Sequence, residues 1–380
     1  MGACRDPAPR SRRVPPSSLV ELKRLQLNNH RNYARLDLVP GPGVNVFVGA
    51  NGQGKTNLLE AVAMLALSSS PRARRDQELL GPVTPAARIH AEVESAGRGL
   101  EVTITLHGEG ERVRRVIEVD GVRRRGFDLP GHFRVTLFWP DDLGLVKAGP
   151  EQRRRFLNQM LVQVEPGYAR NLAALRRVLE QRNSLLKRIA AGEEAPGVLE
   201  AWNAELVAYG SDIAGARARA VEELRPYAAE SHAEIATGER LEIAYVGPPE
   251  NFGDAVEKSL GDDLRRGSTT IGPHHDDLLI QLDGRDARSY ASQGQQRTAV
   301  VSLKLAEAAL VTRRAGERPV LLLDDVLSEL DAERRAALLR RVAGEGQVII
   351  TSAEMGPFPA DLITGARVWS VNSGRIEACG

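Results

Sequence analysis

The pattern of apolar and polar positions divides the chain into regions with different predicted elements. Val44–Val48 is a short, mostly apolar run typical of a buried strand, and Val320–Leu323 is a second such run far along the chain. Between them, residues 87–139 alternate apolar and polar positions, which is the period of antiparallel strands with one wet face. The dipeptide Asp120-Gly121 in this region predicts a hairpin turn.

From Pro150 onward the period of the apolar positions becomes helical. Proline suits the first turn of a helix, and two stretches with heptad spacing follow, Leu172–Ile189 and Leu199–Ala220. Gly192 and Pro196 separate these stretches, so the pattern predicts a short αα-hairpin. Two core helices of a helical subdomain would describe nearly the same object, and the pattern does not choose between the two descriptions.

The order of these regions predicts two lobes, one of which emerges from the middle of the other. We expect the first lobe to comprise residues 19–140 and 265–380, and the inserted, mainly helical lobe to comprise residues 141–264, with a strand at Leu241–Val246. Residues 1–18 are rich in arginine and proline and lack the apolar segment of a signal peptide. They are predicted to be a disordered basic tail.

Residues 49–56 read Gly-Ala-Asn-Gly-Gln-Gly-Lys-Thr and fit the P-loop pattern G-x-x-x-x-G-K-T. The loop follows the predicted strand Val44–Val48 and opens a predicted helix, so its backbone N–H groups and the helix N-terminus favour a triphosphate. Lys55 is expected to reach the β- and γ-phosphates, and Thr56 to ligate Mg²⁺. The predicted nucleotide contacts are Gly49, Ala50, Asn51, Gly52, Gln53, Gly54, Lys55 and Thr56.

An acidic pair, Asp324-Asp325, ends the second apolar run and fits a Walker B motif. An acidic pair after a strand is often only a solvated loop, but a P-loop in the same chain favours Walker B. Asp324 is predicted to hold Mg²⁺ through water, and Asp325 to polarise the attacking water. The predicted catalytic residues are therefore Asp325, Asp324 and Lys55, the predicted metal ligands are Thr56 and Asp324, and the fold class is α/β.

Two further motifs place the chain among ATP-binding-cassette enzymes. Residues 292–295 resemble the signature loop that opens a helix and caps the γ-phosphate held by a second subunit. Residues 328–331, Ser-Glu-Leu-Asp, resemble the D-loop that crosses the dimer interface in that class. The predicted contacts in trans are Ser292, Gln293, Gly294 and Gln295.

Charge is distributed unevenly along the chain, although the net charge of its 380 residues is only +1. Residues 147–190 carry ten Lys and Arg residues and three acids, a net charge of +7, and residues 112–125 hold a second arginine cluster. Aromatic residues make up only 4% of the chain, which disfavours base stacking and favours contact with the phosphates of duplex DNA or a junction. The candidate DNA contacts are Arg153, Arg154, Arg155, Arg176 and Arg177.

The two cysteines, Cys4 and Cys379, lie at opposite ends and form no disulfide framework or metal-ligand spacing. This usage suits a reducing cytosol, and no apolar stretch is long enough to span a membrane. We therefore expect a cytoplasmic protein without a membrane partner.

The chain from Leu19 to Val371 resembles the RecF family of DNA replication and repair proteins. The resemblance rests on Asn29–Tyr33, Gly49–Glu60, Phe138–Leu143 with Arg153–Leu157, Gly272–Leu278 and Ser292–Thr298. It implies an ABC-type ATPase head similar to SMC heads, without their long coiled coil. It also implies an ATP-dependent homodimer on DNA with weak, slow ATP hydrolysis, which helps to load recombinase at gaps, with RecR and RecO as partners and with ATP and Mg²⁺ as cofactors.

Two positions depart from the expected patterns. His275 stands where the family's Gly-Pro-His-Arg-Asp-Asp block has arginine, and a neutral imidazole is a poor substitute for a guanidinium. Thr351-Ser352 occupies the position of the switch histidine of ABC enzymes, so sensing of the γ-phosphate would rest on a hydroxyl.

Two other functions stay open on sequence. A P-loop kinase for small molecules would need an acceptor pocket and a lid arginine but no signature loop, and it would not form an ATP-dependent dimer. Another ABC-type ATPase, such as that of a transporter, is disfavoured by the missing switch histidine and the basic insertion. A GTPase is disfavoured because the chain has no Asn-Lys-x-Asp motif.

Overall fold

A computed structural model describes residues 18–236, 238–356, 358–359 and 364–379, and these residues form four β-sheets and several helices. The strands are β1 (Ser18–Leu19), β2 (Glu21–His30), β3 (Tyr33–Leu38), β4 (Val44–Val48), β5 (Ala86–Ser95), β6 (Arg98–Glu109), β7 (Arg112–Val119), β8 (Val122–Arg124), β9 (Val135–Phe138), β10 (Leu241–Val246), β11 (Asp277–Leu282), β12 (Arg285–Asp286), β13 (Glu317–Arg318), β14 (Val320–Asp324), β15 (Val348–Ser352), β16 (Arg367–Asn372) and β17 (Arg375–Cys379). The α-helices are α1 (Lys55–Leu67), α2 (Gly144–Lys147), α3 (Pro150–Val164), α4 (Tyr168–Ala190), α5 (Glu200–Ile235), α6 (Phe252–Lys258), α7 (Leu260–Arg266), α8 (Ala287–Tyr290), α9 (Gln293–Ala315) and α10 (Ala332–Val342). The predicted basic tail lies outside the described residues apart from Ser18, which begins β1.

The two apolar runs of the sequence become neighbouring parts of one six-stranded sheet with the order β17-β16-β4-β15-β14-β9. The pairs from β16 to β9 are all parallel, and β17 adds an antiparallel edge. Strand β14 is buried along its whole length, as a strand with helices on both faces must be. Because the carboxyl ends of parallel strands meet at one edge, the loops after β4 and β14 lie at the same edge of the sheet.

A second, antiparallel sheet has the order β3-β2-β5-β6-β7-β8 and confirms the alternating pattern of its segment. Asp120 and Gly121 both have positive φ, 51° and 73°, which the predicted hairpin turn between β7 and β8 requires. The prediction was wrong for the end of the segment. Strand β9 is buried on every side chain and pairs with β14 in the parallel sheet, because it lacks the wet face of an antiparallel strand.

The inserted helical region follows the predicted pattern, with α4 and α5 forming the two arms of the αα-hairpin and β10 forming at the predicted residues. Strand pairing does not follow the lobe boundary predicted at residue 265. Strand β11 pairs with β10 so that Ile243 faces Ile280, and both side chains belong to the helical core together with one face of α9. The chain re-enters the parallel sheet only at β14. Among the described helices, none has the length and apolar character needed to cross a membrane.

Candidate nucleotide site and its two halves

The P-loop between β4 and α1 depends on glycines that no other residue could replace without a shift of the chain. Gly54 has φ +115°, and a Cβ at this position would lie 2.5 Å from Asn32 Nδ2. A Cβ at Gly49 would lie 2.2 Å from the carbonyl oxygen of Val371. Gly52 also has positive φ, +83°. The loop thus takes a backbone path that glycine permits and that a triphosphate-binding turn requires.

Two turns from other parts of the chain hold this loop in place. Asn32 Nδ2 donates to the Gln53 carbonyl over 2.9 Å, and the Tyr33 hydroxyl donates to the Gly54 carbonyl over 3.0 Å. Gly374, whose backbone packs against Asn32, donates its N–H to the same Gln53 carbonyl over 3.0 Å. The turns β2–β3 and β16–β17 therefore preorganise the loop. Sequence reasoning found the first turn through its motif but missed the second, whose residues carry no motif.

Lys55, the P-loop lysine, points back over its own loop. Its Nζ donates to the carbonyls of Gly49 and Ala50, the latter over 3.0 Å. Burial lowers the pKa of this ammonium, and the nearby carboxylates of Asp325 and Asp324 oppose the shift. The positive charge is thus held at the loop, in the region where the phosphate-binding pattern predicts it.

The predicted metal ligands Thr56 and Asp324 contact each other, although 268 positions separate them. Thr56 Oγ1 donates to Asp324 Oδ2 over 2.9 Å, and Thr351 Oγ1 donates to Asp324 Oδ1 over 2.7 Å. Burial raises the pKa of the Asp324 carboxyl, and these two hydrogen bonds oppose the shift. A carboxylate beside a hydroxyl is an oxygen donor set that suits Mg²⁺, so the residues present fit the predicted cation.

Asp325, the predicted base, has a left-handed backbone with φ 50°. Its N–H donates to Thr351 through both the carbonyl, over 3.3 Å, and Oγ1, over 3.1 Å. A non-glycine residue in this region is strained. Asp325 adopts this strained backbone directly after β14, at the same sheet edge as the P-loop.

Thr351 and Ser352, at the position of the switch histidine, both form hydrogen bonds within the chain. Thr351 is fully buried, and its hydroxyl donates to Asp324. Ser352 Oγ donates to the Glu354 carbonyl over 2.7 Å. In this structure the chain itself uses both hydroxyls, and Thr351 contacts both Asp324 and the following Asp325. Sensing of the γ-phosphate by a hydroxyl stays a prediction.

The predicted signature loop is exposed and built as a helix start. Ser292 caps α9, accepting from Gln295 N–H over 3.3 Å, while Gln295 Oε1 accepts from Ser292 N–H over 2.8 Å. Gln295 Nε2 donates to Glu239 Oε1 over 3.2 Å. Within the part of the chain that the structure describes, no hydrogen bond joins residues 292–295 to the P-loop. The two predicted halves of the nucleotide site are therefore not joined by a hydrogen bond within the described part of the chain.

A buried ion network under α1 was missed by sequence reasoning. Glu60, whose side chain is fully buried, accepts from Arg31 over 2.8 and 2.9 Å and from Ser70 Oγ over 2.6 Å. Arg72 adds a contact of 3.2 Å to the same carboxylate. The network fixes α1, and with it the P-loop, to the turn after β2. Glu60 is the last residue of the motif Gly49–Glu60, but its position in the sequence gives no indication of an ion pair.

The arginines predicted to contact DNA separate into two groups. Arg153 is buried and binds Asp277 through two hydrogen bonds of 2.5 and 2.9 Å. Arg154 donates to the Asp276 carbonyl over 2.8 Å, and Arg155 donates to the Pro71 carbonyl. These three arginines thus join α3 to other parts of the chain, and the structure contradicts Arg153 as an open phosphate contact. Arg176 and Arg177 are exposed on α4.

The block Gly272–Leu278 faces into the helical region. Asp276 pairs with buried Arg217 over 2.7 Å, an arginine that sequence reasoning missed. The ring Nε2 atoms of His274 and His275 lie 3.0 and 3.3 Å from the Thr269 carbonyl. His275 is exposed, and its contact with this carbonyl leaves the expectation about phosphate a prediction.

The comparisons with known proteins agree on one family. The family model of the RecF/RecN/SMC N-terminal domain matches residues 21–361. A DNA replication and repair protein RecF of Moorella thermoacetica is 40% identical over 359 residues, which cover 94% of this chain and 96% of that protein. The protein of the same name from Chloroflexus aurantiacus is 39% identical, with 93% and 98% covered.

Solved structures give the same result. A structure of the recombination mediator protein RecF with ATP in the RecFOR pathway superposes with a TM-score of 0.87 at 32% identity, covering 95% of this chain and 98% of that one. An Smc head domain from Pyrococcus furiosus, bound to the C-terminal domain of ScpA, superposes with a TM-score of 0.55 at 14% identity, covering 95% and 96%. The second likeness concerns the fold alone, and it is that of an ABC-type ATPase head.

Proposed function

The chain belongs to the RecF family of DNA replication and repair proteins, and on this premise we propose that it is an ATP-dependent DNA-binding recombination mediator. Two copies bind ATP between them, and the closed dimer holds DNA. Slow hydrolysis then opens the dimer and releases the DNA, so that the nucleotide acts as a timer. The role of the dimer is to help recombinase load at gaps.

One observation carries this proposal. Lys55, Thr56 and Asp324 form one half of a nucleotide site, whereas the signature loop that would complete it is exposed at the start of α9 and makes no described hydrogen bond to the P-loop. A second copy of the chain, related to the first by a two-fold axis, supplies the missing half to each site. Such a pairing is symmetric and closes after two copies.

The residues have distinct proposed roles. The backbone of residues 49–54 and the start of α1 bind the phosphates, and Lys55 neutralises their charge. Thr56 and Asp324 would hold Mg²⁺, which would offset the negative charge of the phosphates. Asp325 orients and deprotonates the attacking water. Ser292 and the residues through Gln295 bind the γ-phosphate of the partner's nucleotide.

The proposed partners follow from the relatives. The solved RecF structure is assigned to the RecFOR pathway, and we carry its other members, RecO and RecR, to this chain as protein partners. DNA is the remaining partner, bound through phosphates by exposed arginines such as Arg176 and Arg177 of α4.

The test is the molar mass of the protein, measured by light scattering during gel filtration with ATP and Mg²⁺, with ADP, and without nucleotide. We expect a dimer only with ATP. Lys55→Met removes a charge-assisted contact and should weaken ATP binding about 10- to 150-fold, so that the dimer is lost at limiting ATP. Ser292→Arg should keep ATP binding by the monomer and still block the dimer.

Two results would reject the proposal. A wild-type protein that stays monomeric with ATP would favour the small-molecule kinase. A Ser292→Arg variant that dimerises normally would make residues 292–295 an ordinary helix start. Binding to gapped, duplex and single-stranded DNA, measured under the same three nucleotide conditions, tests the DNA-binding part separately, and we expect the highest affinity with ATP.

A further inference from the structure

One arginine of α10 lies directly against the signature loop. A Cβ built on Gly294 would lie 2.8 Å from Arg334 Nη1, so the guanidinium occupies the space that any larger residue would need. Gly294 is the second residue of α9 and lies in its first helical turn. Its backbone does not require glycine, and glycine is unfavourable in a helix. Arg334 Nη1 therefore lies next to the backbone of the first helical turn of the loop.

The surroundings of Arg334 differ from those of its neighbour. Arg335 donates to the carbonyls of Leu327 and Leu330, over 3.1 and 2.9 Å, and so holds the turn before α10. Arg334 forms an ion pair with Asp331 at the longer distance of 3.6 Å, and the Asp331 side chain is 58% exposed. An ion pair this open contributes little. The Arg334 guanidinium is thus held mainly by its position beside the loop.

We propose that Arg334 is a phosphate ligand supplied in trans. In the ATP-held dimer its guanidinium binds the γ-phosphate of the nucleotide on the partner subunit, beside the Ser292 hydroxyl and the start of α9. This inference rests on the proposed function. A guanidinium suits the role because its planar fork donates two parallel hydrogen bonds to phosphate oxygens. Lys55 provides positive charge from one subunit, and Arg334 provides it from the other.

Single substitutions test the role of the charge. Arg334→Ala should leave ATP binding by the monomer unchanged and should lower ATP-dependent dimerisation and hydrolysis about 10- to 150-fold. Arg334→Lys keeps the charge but cannot donate two parallel hydrogen bonds. Its dimerisation and hydrolysis should therefore lie between those of the wild type and those of Arg334→Ala. Arg340→Ala is the matched control, because Arg340 is exposed on the same helix about 9 Å further along its axis. An Arg334→Ala protein that behaves like Arg340→Ala would overturn the proposal.

Mixed dimers decide whether Arg334 acts in trans. Arg334→Ala and Asp325→Asn subunits are both expected to bind ATP, and each alone should hydrolyse it slowly. In a mixed dimer, the nucleotide on the Arg334→Ala subunit meets an intact Asp325 from its own chain and an intact Arg334 from the partner. Random pairing in an equal mixture makes half of the dimers mixed, and each mixed dimer has one intact site of two, so mixing should restore turnover toward about one quarter of the wild-type value. If Arg334 acts within its own chain, both sites stay impaired and mixing restores nothing.

Two further measurements separate this inference from its premise. If the wild-type protein forms no ATP-dependent dimer, the proposed function itself fails. If the wild type dimerises and Arg334→Ala does so equally well, only the role of Arg334 fails. Gly294→Ala gives an independent check, because its methyl group must displace the guanidinium while the loop N–H remains. It should lower dimerisation in the wild-type background and should have little further effect in Arg334→Ala.

Discussion

The two acids at the end of β14 differ in what surrounds them, although they are adjacent in sequence. Asp324 is buried and accepts hydrogen bonds from Thr56 and Thr351. Asp325 is only half-buried, and it lines a small pocket with Trp139 and Val301. An acid held by two hydroxyls suits a metal ligand, whereas an acid at an opening suits contact with water. The surroundings of the two side chains thus support the roles predicted from sequence, with Asp324 as a metal ligand and Asp325 as the residue that acts on water.

Substitution of each acid should separate these roles. Asp325→Asn should keep Mg²⁺-dependent ATP binding, lower hydrolysis about 10²- to 10⁴-fold as expected for loss of a general base, and accumulate dimer. Asp324→Asn should weaken ATP binding in Mg²⁺ and have less effect in EDTA. Titration with a fluorescent ATP analogue and single-turnover assays measure both quantities. Loss of ATP binding in Asp325→Asn, with binding retained in Asp324→Asn, would reverse the assignment.

Motifs that are contiguous along the chain can be located from the sequence alone. The P-loop is a single turn between a strand and a helix, so its residues and its context are local. Gly374 and the contact of Thr351 with Asp324 could not be found in this way, because they depend on the order of the strands in the sheet. Arg334 was missed for the same reason, since its contact with Gly294 joins two different helices.

Helix α9 connects the candidate signature loop to the interior. Halfway along it, Lys304 and Glu307 form a fully buried ion pair, and Lys304 Nζ lies 5.2 Å from the centre of the Phe156 ring. Asp142, in the turn after β9, interacts with both charges. Burial raises the pKa of Glu307 to about 6, while Lys304 opposes the shift. The Lys304 ammonium thus interacts with the carboxyls of both Glu307 and Asp142, where α9 meets β9.

This cluster makes stability depend on pH in a predictable direction. A carboxyl with a raised pKa in the folded protein favours the protonated form, so its stabilising effect is present below its unfolded pKa and is lost as pH rises through about 6. The free energy of unfolding of the wild type, relative to Glu307→Gln, should fall by about 1 kcal/mol between roughly pH 5 and pH 7.5. Thermal melts of both proteins across this range measure the difference.

The control for this prediction is Glu333→Gln, which removes an exposed carboxylate from a neighbouring helix. Its melts report how the loss of one negative surface charge affects stability over the same range. A wild-type advantage over Glu307→Gln that rises with pH would contradict the assignment, because it would mean that the cluster favours the ionised carboxyl.

Elements with a strong period were predictable, and their partners were not. The heptad spacing located α4 and α5, and the alternation located β5 to β7. Strand β9 was assigned to the wrong sheet because its short sequence, three apolar residues and Thr136, fits a fully buried strand in any sheet. Strand β11 pairs with β10 across the predicted lobe boundary, and pairing between distant strands leaves no local signal.

At the scale of the whole molecule, the surplus of positive charge divides between inside and outside. Arg153 and Arg182 of the +7 segment are buried in ion pairs with Asp277 and Asp263, so they add nothing to the external field. Arg176 and Arg177 belong to the same segment and are exposed on helix α4. A field that attracts DNA must come from such exposed charges, because phosphate contact requires access from solvent.

We therefore predict that the double substitution Arg176→Glu and Arg177→Glu weakens DNA binding for every sequence alike. The slope of log K against log salt for duplex DNA is about −0.9 per phosphate contact, so the loss of two contacts should make it shallower by about 1.8. Binding titrations with ATP at several salt concentrations measure this slope. The ATP-dependent dimer and the thermal melt should stay unchanged, because both side chains are exposed.

Two control variants show whether a change of the salt slope comes from Arg176 and Arg177. Arg153→Ala breaks the contact with Asp277 and should lower the melting temperature while leaving the salt slope unchanged, since this arginine holds α3 to β11. Arg123→Glu with Arg124→Glu reverses the same amount of charge on the exposed edge strand β8. If the slope changes in that pair and stays constant in the α4 pair, DNA binds beside the antiparallel sheet. The arginines of α4 would then contribute to the electrostatic field of the dimer without contacting a phosphate, and α4 would lie away from the bound DNA.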